Sequence, residues 1–163
     1  MIDLLALTVQ QPWCWGLSNG LKPIENRVWP PPKAMIGKYL ALHAGKQIDG
    51  EGVPAFTEIV KSMPGRIEAV HQGPLTLRMM PLGAITCVAR LVRVFYSKDC
   101  PPPDLPPLAV PWWCGPYAWL FVDAQAIEPV PCRGMQKIWT VPVATADEVR
   151  RRWKMAREAA KDG

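Results

Sequence analysis

Leu5-Ala6-Leu7-Thr8-Val9-Gln10-Gln11-Pro12-Trp13, followed by Gly20-Leu21-Lys22-Pro23-Ile24-Glu25-Asn26-Arg27, joins a strand pattern to a helix start, a glycine stop and a cluster of charges. Ile2 to Val9 is apolar and partly β-branched, which predicts a strand. Residues 11–19 predict a short helix. Pro12 suits its first turn, and Gly20 suits a left-handed C-terminal cap. The chain then extends from Glu25 to Trp29 and stops at Pro30-Pro31-Pro32. Three charges of mixed sign sit directly behind the glycine stop. Side chains alternate along extended backbone, so Glu25 and Arg27 share a face, and Lys22 converges on them from the turn before Pro23.

Outward from that stretch, Lys38 to His43 alternates and predicts a strand. Residues 47–80 form an excursion with one helix around Ala55–Ser62. Leu82 to Phe95 predicts a long strand bent at a bulge. A proline-rich loop, Pro101 to Pro111, leads to strands at Tyr117–Val122, Glu128–Pro131 and Lys137–Val143. Thr145-Ala146-Asp147-Glu148 has the form of a capping box opening a last helix. Val149, Trp153 and Ala156 line one side of that helix, and Arg150, Arg151, Lys154 and Arg157 spread over the rest. About six strands with few short helices, not regularly alternating, predict a mostly β fold with α elements. The expected form is a small, mostly antiparallel barrel flanked by short helices, plus a C-terminal helix. Trp119 and Trp139 fall in strand patterns and are expected in the core.

At 163 residues the chain is one domain by size. Its 49% hydrophobic and 20% charged residues exclude a disordered chain. The net charge of +5 tolerates nucleic acid without demanding it. The five cysteines contain no CxxC pair, which argues against a zinc cluster and for thiols in a reducing cytosol. No metal and no cofactor are expected. The N-terminus lacks a basic region followed by a long apolar run, so neither a signal peptide nor a membrane helix is expected, and the location is read as cytoplasmic.

The segments together resemble the ASCH domain family. The resemblance rests on Leu5 to Trp13, then on Gly20, Lys22, Glu25 and Arg27 as Gly-x-Lys-x-x-Glu-x-Arg, the coactivator-type pattern. His43-Ala44-Gly45-Lys46, Pro81 to Ile85, Gly115 to Trp119 and Pro131 to Trp139 follow in order. It spans roughly residues 4–142. It implies a PUA-like fold over 1–144, with 145–163 as a basic helical extension, and a cleft beside the first helix. The family includes coactivator domains, nucleic-acid binders, a reported ribonuclease and amidohydrolases acting on N4-acetylcytidine, so membership fixes fold more than function.

Two uses of the charged triad stand side by side. A carboxylate flanked by two cations could accept from a base edge while the cations hold phosphate. Equally, Lys22, Glu25 and Arg27 could be an ion pair that fixes the loop. The leading expectation is recognition of RNA or another single-stranded nucleic acid, or of a modified nucleoside. Lys22, Glu25, Arg27, Trp29, His43, Lys46, Trp113, Tyr117, Arg133 and Lys137 would contribute, with Trp29 and Trp113 available for stacking. The alternative is a small hydrolase acting on N4-acetylcytidine or RNA, with Lys22 and Glu25 as its catalytic candidates. Against it, Glu25 stands where the amidohydrolases carry threonine. A third reading has the 101–111 loop dock a protein partner.

Overall fold

The computed structural model describes residues 3–63, 65–70 and 76–161. Ile2 of the first expected strand, and residues 64 and 71–75 of the excursion, lie outside them. The elements run β1 (Leu5–Gln11), α1 (Trp13–Ser18), β2 (Ile24–Arg27), β3 (Tyr39–Ile48), α2 (Val53–Lys61), α3 (Arg66–Val70), β4 (Ala84–Tyr96), β5 (Tyr117–Pro131), β6 (Ile138–Thr140) and α4 (Val143–Ala159). Short 3-10 turns occupy Lys33–Met35, Leu77–Met79 and Pro107–Trp112.

The six strands form one sheet in the order β2-β5-β4-β3-β1-β6. Among the described residues only the β1–β3 pair is parallel. The mostly β architecture with short helices and a C-terminal helix is as expected. The barrel is not closed: the ladder ends at β2 and β6, strands of four and three residues. Arg27 on edge strand β2 nevertheless donates from Nη2 to the Thr8 carbonyl of β1 at 2.7 Å. The sheet therefore curls until a side chain, not a backbone ladder, spans its gap.

Alternation along the strands feeds two cores. Leu7, Leu40, Leu42, Ala89 and Leu91 pack with Trp119 and Phe121. Their neighbours Ala6, Ala41 and Val88 point the other way and pack with Trp139 and Val149 of α4. Trp119 and Trp139 are both buried, as expected. A third cluster joins Trp15 and Leu21 to Phe56, Val60 and Trp112. The proline-rich loop is part of that cluster, since Leu105 and Ala109 are buried in it. Among the described residues, no helix is long and apolar enough to cross a membrane.

Three local expectations are corrected. Tyr117–Val122 and Glu128–Pro131 are one continuous strand, β5. It bends without breaking because Asp123 takes a left-handed conformation (φ 53°) and the β4–β5 register shifts three times. Lys137–Val143 is not one strand: β6 covers Ile138–Thr140, and Val143 already belongs to α4. That helix begins after Pro142, ahead of the expected capping box, and has no side-chain cap. Glu148 is instead spent on Arg151 and Arg152.

Candidate functional site

The first helix is anchored by a residue whose role its sequence context did not reveal. Gln11 is fully buried. Its Oε1 accepts from the Trp15 amide at 2.8 Å, and its Nε2 donates to the Pro81 carbonyl at 2.8 Å. One first-turn amide is thus satisfied by the side chain before the helix, not by Pro12. At the other end Gly20 takes the left-handed conformation (φ +68°), and the Leu21 and Lys22 amides both donate to the Gly16 carbonyl at 3.0 Å.

That turn delivers Lys22 into the protein, where only 2% of it is exposed. Its Nζ donates to Glu25 Oε2 at 2.9 Å and to the Ile24 carbonyl, and it lies 5.8 Å from the Trp13 ring centroid. Glu25 Oε1 meets Arg27 Nη2 at 3.2 Å. The three side chains converge, as the alternation argument requires. Both Glu25 oxygens face cations, and Lys22 is held between a carboxylate and a carbonyl. Burial of the pair is tolerable because the charges satisfy each other. Arg27 passes the linkage on to Thr8.

A large open groove of about 1460 Å³ lies beyond Thr8. Thr8, Gln10, His43, Lys46, Gln47 and Arg133 line it, with Cys132, Gly134 and Gln136. The β1–β3 register explains its inner wall. Val9 pairs with Ala44 and Gln11 with Ile48, so β3 spends two more residues than β1 over the same span. Gly45-Lys46-Gln47 therefore bulges out of the ladder. Thr8 and Gln10 share one face of β1, and Thr8 pairs across to His43. The outer wall is the irregular segment from Cys132 to Lys137, between β5 and β6. Lys46 and Arg133 are exposed, and none of the described lining residues carries a carboxylate.

His43 is 2% exposed. Its Nε2 sits 3.0 Å from the Cys132 carbonyl, and its ring meets Trp139 edge-on at 5.7 Å. Burial lowers the imidazole pKa, against the pull of the Cys132 carbonyl. Burial pushes the Cys132 thiol up and the Cys14 thiol to about 11.

The ten residues expected to gather in one cleft are thus not brought together. His43, Lys46 and Arg133 line the groove. Lys137 is exposed at the end of the outer wall and is not a lining residue. Lys22, Glu25 and Arg27 form the buried network. Tyr117 pairs with Arg27 across the β2–β5 ladder and lies against Tyr96, the tilted rings 4.9 Å apart. Trp29 is half-buried, edge-on to Trp119 at 4.8 Å. Trp113 is half-buried next to Cys114, whose amide donates to Asn26 Oδ1 at 3.1 Å. Thr8, Gln10, Gln47 and Gln136 are groove residues not singled out from the sequence. Strand alternation alone marks Thr8 and Gln10 as a pair, but only the β3 bulge brings Gln47 beside them.

No protein-family model matches the chain, and no curated protein matches it. Among solved structures it is similar to the crystal structure of ASCH from Zymomonas mobilis, at 10% identity over 91% of this chain and 94% of that one, with a TM-score of 0.49. Two point-mutant forms of that protein give 10% identity, 92% and 98% coverage and a TM-score of 0.49, and 11%, 91%, 95% and 0.47.

Proposed function

We propose that this chain is an ASCH-type nucleic-acid-binding module that takes single-stranded RNA along the groove between the β3 bulge and the Cys132–Lys137 segment. The observation that carries the reading is the groove's charge: exposed Lys46 and Arg133 on opposite walls, with no carboxylate among the described lining residues. The amides of Gln10, Gln47 and Gln136 add donors and acceptors for base edges. The groove is open, unlike the pockets that enclose most of a small ligand, which favours a strand over a metabolite. The ordered ASCH-like motifs support the same reading. The Lys22–Glu25–Arg27 network serves it indirectly, by holding the Thr8 carbonyl.

Fluorescence anisotropy of labelled single-stranded RNA and DNA tests this. Binding should weaken from about 50 to 200 mM salt as counterions are released. Replacing Lys46 and Arg133 together by alanine should flatten the salt slope by about 0.7 per lost phosphate contact. Equal binding by wild type and double variant at every salt contradicts the groove. Stronger binding of DNA would move the ligand to that strand type.

A further inference from the structure

We infer that His43 and Thr8 form a base-reading floor in this groove, one that accepts an N–H from an unpaired nucleobase and donates to the acceptor beside it. The inference rests on the proposed RNA groove and names what enters it.

A carbonyl carries no proton, so the contact between His43 Nε2 and the Cys132 carbonyl at 3.0 Å requires the proton on Nε2. The neutral ring then keeps an acceptor lone pair on Nδ1. That atom is buried and has no partner among the described residues. A buried acceptor left without a donor is costly, and native structures seldom keep one without a reason. The ring cannot turn to find a partner, because Cys132 fixes one edge and Trp139 packs against it.

Thr8 supplies the complementary group. Its Oγ1 accepts from Trp139 Nε1 at 3.1 Å, which leaves the hydroxyl proton available. Both atoms lie under Gly134. A Cβ at that position would stand 2.5 Å from His43 Nδ1 and 2.9 Å from Thr8 Oγ1. Acceptor and donor are therefore neighbours, covered by a residue with no side chain in an irregular segment. Thr8, His43 and Gly134 all line the groove, and a base would reach the pair by displacing the Gly134 backbone outward. The pair complements the amide-like or amidine-like edge that every base presents. Lys46 and Arg133 would hold the flanking phosphates. A polyanion without bases engages the cations and leaves the floor unused.

The test compares a short single-stranded RNA with the same ribose-phosphate chain made abasic, using the whole 163-residue chain. The intact RNA should bind about tenfold more tightly. His43→Phe and Thr8→Val should each shrink that ratio toward one. In wild-type protein the ¹⁵N resonance of His43 Nδ1 should move on adding intact RNA and stay in place with the abasic chain. This readout needs no substitution, so it stands should His43→Phe fail to fold. Equal binding of the two strands with an unmoved Nδ1 resonance overturns the inference and leaves the groove reading intact. Absence of binding by both strands overturns that reading as well.

Discussion

Gly134 is required by contact, not by its backbone conformation. A methyl group there would stand 2.4 Å from His43 Cε1 and 2.5 Å from Nδ1, closer than packed atoms allow. Gly134→Ala should cost about 1–3 kcal/mol through overpacking, read as a lower urea midpoint at an unchanged slope. Lys22 is equally constrained, by charge. Glu25→Ala removes its carboxylate partner and leaves an ammonium buried, which should cost about 3–5 kcal/mol. A loss below about 1 kcal/mol in urea unfolding would mean that the pair is more solvated than its geometry implies. His43 has a pH signature of the opposite origin. Its folded pKa lies below the ordinary 6.5, so the unfolded chain binds more protons in that window. Stability should hold above pH 6.5 and fall as pH drops below it. His43→Gln, scanned by thermal melting between about pH 7.5 and 5.5, should lose most of that dependence. At this scale the charged triad was legible, because i, i+2 alternation depends on nothing but the strand. Gln11, Thr8 and the Gly134 contact were not, since their partners Pro81, Trp139 and His43 come from distant segments.

The last helix illustrates how local signals misplace an element without changing its type. Thr145 to Glu148 has the capping-box form, yet Pro142 lets the helix start at Val143. The hydrophobic side read from the sequence is the one that docks: Val149 is fully buried, and Trp153 and Ala156 pack against the same cluster. Val149→Ala should therefore cost about 2 kcal/mol, measured by chemical unfolding. Glu148→Gln should lower the unfolding midpoint only slightly at neutral pH, because Arg151 is exposed and Glu148 and Arg152 are only half-buried, so solvent screens both pairs. β5 shows the same limit from the other side. The sequence pattern separates Tyr117–Val122 from Glu128–Pro131, but a left-handed Asp123 and shifted register carry one strand through. The β3 bulge that builds the groove is set by pairing with β1, a long-range property that no window of β3 contains.

For the whole molecule, the sequence conveyed the class of fold and the order of its landmarks, but not how the sheet closes. The ten residues expected around one cleft do not share one. The open, curled sheet divides them, with Arg27 and Thr8 as the connection between the buried network and the groove. A backbone amide NMR titration with short single-stranded RNA decides whether the ligand enters the groove. The largest shifts should cluster at Thr8–Gln10, His43–Gln47 and Cys132–Gln136. Shifts confined to Lys22–Arg27 and Trp112–Cys114, or none at saturating RNA, would contradict it.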